Sequence, residues 1–470
     1  RDVYGKPLRI ARSTLVDGQL TTRERHFGYD GLQRLCQRLE PETGLHIYAY
    51  DAADNLDWSA HGLNPSTINF GQIFANGFED GQLPAPGVVD CGRATVSAAE
   101  RITRGYDTRN RLLSIDHPDA TADIQHTYHA DGTLWTASRN GSVWTYQYNS
   151  LGLLKSEKLE YLAQTREFLH GYNTRGQPSS LTWPDASLLG YEPNVFGEPT
   201  RVGNYAQAIG YHPDGGLAQA TYGTGIAHTR TPNDRFLPQR LLYTAGPSTL
   251  VDYQYVYDEN ANVESIDDAR PAAVDTDDQT FGYDGLDRLT SASAPERYGN
   301  ASYTYDAFDD LRSMVIGTRN WTYRYEDGSG RLTRITNPGG GAEWTFLYEP
   351  NGNRGNASTV ASPDGTQNLA FDRADTLTQI VGQESYKYDA HGHRIEVVVA
   401  GQTRYPVHTR DGLLRIEYGP VTERYIHLGT QLIARETAGS ARYLLVDHLG
   451  SPVAETNAAG GDMPPIASSK

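Results

Sequence analysis

One short phrase recurs along this chain and limits what it can fold into: two aromatic positions, then Asp, two variable residues, Gly or Asn, one more residue and Leu, about every 20 residues. Phe27-Gly-Tyr29-Asp30-Gly-Leu-Gln-Arg-Leu35 and Phe281-Gly-Tyr283-Asp284-Gly-Leu-Asp-Arg-Leu289 are nearly identical. Further copies end in Tyr50, Tyr106, Tyr148, Tyr257, Tyr305, Tyr325 and Tyr388. A self-similar period of this size means one supersecondary unit per repeat, stacked on its neighbours. Architecture therefore precedes any single residue in the search for function.

Each unit reads as strand, turn, strand. Trp144-Thr-Tyr146-Gln-Tyr148 alternates with period two, placing three aromatics on one face. Turn-formers follow, as in Asn149-Ser-Leu-Gly152, where Asn and Gly tolerate positive φ. An isolated hairpin is marginal in water, so each must pair edge to edge with the next, and a long sheet coils. The expectation is an all-β hairpin spiral; a β-propeller would need about 40 residues per blade, twice this period. Residues 1–58 and 97–457 carry the repeats, residues 59–96 read as an irregular insertion, and residues 458–470 as a frayed tail. The nine repeat tyrosines, Tyr29 and Tyr283 among them, are expected inside, in cross-strand aromatic ladders.

The formal charge of −17 leaves no basic stripe to displace phosphate counterions, which argues against nucleic acid as a partner. No run of 18 apolar residues occurs, so no membrane span is expected. The chain opens at Arg1 inside a repeat, without signal peptide, and reads as a fragment or processed product. Cys36 and Cys91 either bridge across the irregular segment in an oxidising compartment or remain two partly buried thiols.

The Tyr-Asp-x-x-Gly-x-Leu units resemble the YD repeats of Rhs (rearrangement hotspot) proteins, shared with teneurins and with the C components of insecticidal toxin complexes. Two further motifs sharpen the likeness. Thr221-Tyr-Gly-Thr-Gly225, followed by Leu237-Pro-Gln-Arg-Leu241, is similar to a unit common in Rhs cores. Asp447-His448-Leu449-Gly450-Ser451-Pro452 looks like the family's signature near the end of the core. The resemblance implies a β-strand spiral around a cavity that houses a C-terminal toxin, in a protein secreted or delivered outside the producing cell. The family's Asp-Pro-x-Gly self-cleavage region does not follow residue 452, so autoproteolysis is not carried over.

Competing chemistries were weighed against structural roles. No Gly-x-Ser-x-Gly elbow, His-Glu-x-x-His zinc motif or phosphate loop is present, and Asn337-Pro-Gly-Gly-Gly341 reads as a hairpin loop. His391-Gly-His393 and His129 have metal-ligand character but occupy turn slots, so no metal or cofactor is expected. A catalytic carboxylate pair is needed once, whereas an Asp at every turn hydrogen-bonds its own backbone. Asp447 and His448 fall outside the ordinary repeat on this reading. The expectation is a non-catalytic shell or scaffold, with a toxin cargo, plug or cap as partner. The alternatives are a glycan-binding surface using Trp58, Trp135, Trp144, Trp183, Trp321 or Trp344, and a polysaccharide-acting enzyme.

Overall fold

The structure, a computed structural model, describes residues 1, 4–16, 18–63, 91, 93–270, 278–326, 328–338, 343–352 and 358–456. Among these the architecture is all-β, as the period-two patterning requires. Strands form two long antiparallel ladders, one of 14 from Arg9–Val16 to Leu188–Gly190 and one of 24 from Ala206–Tyr211 to Pro452–Thr456. Every strand pairs with its neighbours in sequence. Ser97-Ala-Ala-Glu-Arg101 makes one 3-10 turn, Ala98–Glu100.

The repeat phrase is a single turn design. Asp30 N–H donates to Arg34 O (2.9 Å) and Gln33 N–H to Asp30 O (2.8 Å), while the Asp30 carboxylate accepts from Leu32 and Arg34 N–H, both at 3.0 Å. The fourth residue of the turn is left-handed: φ is +65° at Gln33, +74° at Gly152 and +60° at Phe236. Glycine takes this geometry without cost, which explains its recurrence there. The bulge that follows sets Tyr29 opposite Leu35, and the same offset recurs at Tyr106–Leu112 and Tyr283–Leu289. Where His, Trp or Thr opens the turn, an Asp two residues later caps the backbone instead: Asp131 for Thr133, Asp185 for Ser187 and Asp411 for Leu413.

All but one of the repeat tyrosines lie outside the core. Tyr29, Tyr50, Tyr106, Tyr148, Tyr257, Tyr283, Tyr305 and Tyr325 are half-buried, and Tyr388 is buried. The reason is their place at the strand's end, where the ring runs along the sheet edge toward the previous turn. Its hydroxyl donates to the carbonyl that begins the second strand of the preceding hairpin: Tyr50 to Leu35 (2.8 Å), Tyr257 to Pro238 (2.8 Å), Tyr283 to Val263 (3.0 Å) and Tyr388 to Leu377 (2.6 Å). The fully buried aromatics lie nearer mid-strand. Trp144 and Tyr146 stack at 6.1 Å, and Tyr255 and Tyr386 are buried two residues before a repeat tyrosine.

Two units compose the chain, and neither follows the linear segments read from the sequence. The first comprises Arg1–Tyr128, Ala137–Asn140 and Tyr303–Gly392. Within it Leu45, Ile47, Ala49, Trp58, Ala60, Leu63 and Val96 form a dry cluster, with the Arg101 guanidinium 4.4 Å over the Trp58 ring. Residues 59–63, read as insertion, belong to the strand Leu56–Leu63, which pairs with Gly44–Tyr50 because Trp58, Ala60 and Leu63 bury against that cluster. Residues 64–90 and 457–470, and most of the 337–341 glycine run, lie outside the described residues. Cys36 and Cys91, both buried, are disulfide-bonded with Cα atoms 5.8 Å apart. The second unit comprises His129–Thr136, Gly141–Ser302 and His393–Lys470, with a core rich in tyrosine.

Candidate functional site

The motifs singled out from the sequence, some 200 residues apart, meet inside the second unit. Tyr222, from Thr221-Tyr-Gly-Thr-Gly225, stacks on Tyr443 at 5.6 Å and lies 6.3 Å from Tyr243, just beyond Leu237-Pro-Gln-Arg-Leu241. Gly223 is glycine for a reason of space, since a Cβ there would strike the Tyr443 hydroxyl and the Asn204 carbonyl. Tyr243 clasps the strand leading into the signature: its hydroxyl donates to Val446 O and accepts from Val446 N–H, each at 3.3 Å. Tyr255 lies 4.6 Å from the His448 ring, and His228 packs 4.5 Å from Tyr243.

Asp447-His448-Leu449-Gly450-Ser451-Pro452 proves to be an ordinary repeat turn, which corrects its reading as an exception. Asp447 N–H donates to Ser451 O (2.9 Å), Gly450 N–H donates to Asp447 O (3.1 Å), and the carboxylate accepts from Leu449 and Ser451 N–H at 2.9 Å each. Gly450 has φ +83°, and Val446 stands opposite Pro452 as Tyr29 stands opposite Leu35. Val446 in the tyrosine's place concealed the phrase.

The electrostatics of this junction suit a clamp. Burial pushes the Tyr222 hydroxyl up to about 12 and raises Tyr243 and Tyr255 further from ionisation. Burial, reinforced by Arg230, lowers His228 to about 4, and burial lowers His448 against the opposing pull of Asp447. These tyrosines and histidines are thus neutral near pH 7, and the Asp447 carboxylate is occupied by two backbone donors.

Other residues with chemical character are used by the repeat. Asp30 is buried; burial alone would raise its carboxyl, but hydrogen bonds from Arg34 and Arg93 hold it at about 2. His129 pairs its Nε2 with the Tyr146 carbonyl (3.1 Å), and the His391 backbone N–H donates to the Asp389 carboxylate (2.9 Å). Among the described residues no three His, Cys, Asp or Glu side chains converge as a metal site. No helix among them is long and apolar enough to cross a membrane. Trp58, Trp144 and Trp183 are buried, Trp321 and Trp344 half-buried, and Trp135 is exposed beside His129, so they form no exposed row.

The sequence reading took Tyr222 and Tyr443 only as members of family motifs and missed Tyr243 and His228. Their signal was faint: each sits beside a motif residue but outside the repeat phrase.

Residues 312–418 match the Teneurin YD-shell family model. No curated protein matches the sequence. The fold is shared with the solved TcdB2-TccC3 complex without its hypervariable C-terminal region, at TM-score 0.69 and 14% identity, over 97% of this chain and 26% of that one. TcdB2-TccC3-TEV matches at TM-score 0.65 and 14% identity, over 98% and 27%. The Photorhabdus luminescens Tc holotoxin pore matches at TM-score 0.55 and 13% identity, over 97% and 26%. The chain thus spans about a quarter of the length of the chains it matches. Its recurring Tyr-Asp turn, the match over 312–418 and the shared fold together support a likeness to the Rhs/YD-repeat family.

Proposed function

We propose that this chain is part of the wall of a non-catalytic container, one that holds a polypeptide toxin for delivery outside the producing cell. One observation carries the reading. The matched TcdB2-TccC3 structure lacks its hypervariable C-terminal region yet shares its fold over 97% of this chain, so the shared part lies outside that region, which supports a scaffold role. The chemistry agrees: the recurrent acids serve turns, and the motif junction is a neutral clasp between distant strands. Such a wall needs rigidity and many small locks more than an activated group.

Limited proteolysis of a protease-sensitive reporter fused after residue 470 tests this. The fused reporter should be cut much more slowly than the same reporter free, and equal rates would sink the enclosing role. Polysaccharide hydrolysis abolished by Asp447→Asn would instead establish an enzyme.

A further inference from the structure

Two repeat turns of the first unit depart from the common phrase, and both departures line one cavity. It measures about 340 Å³ and lies where the end of strand Leu56–Leu63 meets the turns that begin at Glu349 and Asp372. That volume is at the small end for ligand pockets, enough for one small ring. Strand and turn are pressed together there: Gly62 has φ +63°, and a Cβ on it would strike the Asn351 side chain.

Elsewhere the acid of the phrase closes its own turn. Glu349 holds that place after Tyr348, and its backbone still makes the turn, with Gly352 N–H donating to Glu349 O (2.9 Å). Its longer side chain lines the cavity instead and has no hydrogen-bond or ion-pair partner among the described residues. Phe371 stands where the repeat sets tyrosine, opposite Leu377, so its ring has no hydroxyl to tie it to the preceding hairpin, and it forms the apolar wall. Asp119 and Arg373 complete the lining. They face each other at 3.6 Å, an ion pair too long for a hydrogen bond, so both keep hydrogen-bonding capacity. Asp372 is by contrast fully engaged, accepting from Ala374 N–H (2.9 Å), Thr376 N–H (3.0 Å) and the Arg139 guanidinium (2.9 Å).

The open polar groups select the class of ligand. They are two carboxylates, Asp119 and Glu349, and one guanidinium, Arg373. The guanidinium repels a cation and the carboxylates repel an anion. Among the described residues no three His, Cys, Asp or Glu side chains converge for a metal. A neutral ligand whose groups both donate and accept satisfies all three, and hydroxyls do both. A saturated C–H face, slightly positive, also suits the negative face of the Phe371 ring.

We propose that this cavity binds a single neutral sugar ring. Glu349 and Asp119 accept from its hydroxyls, Arg373 donates to one of its oxygens, and Phe371 stacks on its C–H face. The site is separate from the tryptophans and does not rest on the container reading.

Saturation-transfer difference NMR on the full chain with glucose, galactose, mannose and N-acetylglucosamine tests the proposal, with choline and inorganic phosphate as charged controls. The expected result is millimolar binding of at least one sugar, with saturation strongest on its ring C–H protons. Glu349→Ala and Phe371→Leu should each weaken that binding about tenfold, through loss of a charged hydrogen bond or of the stacked face. Phe371→Leu keeps an apolar side chain at a half-buried position, and an unchanged melting temperature verifies the fold of both variants. Should Phe371→Leu unfold, Glu349→Ala decides alone. Absence of saturation transfer to all four sugars overturns the proposal. So does sugar binding that a folded variant retains at full strength. Choline binding abolished by Glu349→Ala overturns it in favour of a cation site.

Discussion

Lowering the pH from 7 to 5 should weaken the second unit through its buried histidines. His228 and His427 are 3% and 8% exposed there, and burial first, then Arg230 and Arg415 respectively, hold each imidazole at about 4. In the unfolded chain the same groups titrate near 6.5. Because the folded value is the lower one, the unfolded chain takes up protons that the fold refuses. Stability is therefore full above about pH 6.5, falls as the pH drops toward 4 and levels off below it. At pH 5 each histidine costs about 2 kcal/mol, so the pair costs about 4 kcal/mol, a large share of a typical unfolding free energy. His448 adds in the same direction. Few carboxyls titrate in this window, so the slope belongs mainly to imidazole. Hydrogen exchange at pH 7 and 5, corrected for intrinsic rates and read on Ile226–Pro232 and Glu423–Leu428, reports the loss locally. His228→Leu should remove somewhat less than half of the effect in this unit, since His427 and His448 keep theirs. Equal protection at both pH values, or an unchanged pH response in His228→Leu, would refute the reasoning.

Three further outcomes follow from the repeat and the disulfide. Tyr257→Phe deletes the donor to Pro238 O and should cost about 1 kcal/mol in denaturant unfolding, and Tyr283→Ala, half-buried, should cost less than the 3–5 kcal/mol of a fully buried ring. Replacing both Cys36 and Cys91 by Ala opens a loop spanning 55 residues and should lower the stability of the first unit by about 4 kcal/mol, measured by urea unfolding against the oxidised parent.

Much of the fold was legible because it is local. A turn of five residues needs its Asp or Asn oxygen and a residue that accepts positive φ, and both are written in the phrase itself. Period-two alternation then dictates strands, and equal spacing dictates pairing between sequence neighbours. The tyrosines were misplaced because alternation gives the face of a residue but not its depth. Tyr29 and its equivalents stand at the strand end, where the hydroxyl reaches a carbonyl of the preceding hairpin instead of entering the core. Asp447 was set apart because Val446 replaces the aromatic, yet backbone hydrogen bonds hold the same turn without it.

By itself, then, the sequence determined an all-β array of hairpins, the chemistry of its turns and the resemblance to a family. Tertiary structure alone decided that residues 221–225, 237–243 and 443–452 share one buried junction, because contacts between strands 200 residues apart leave no periodic trace. It likewise decided that Phe308 is seated and Phe196 exposed. Phe308 is covered by the Arg23 guanidinium, 4.2 Å from its ring, and which side chains reach a turn is a property of the folded chain.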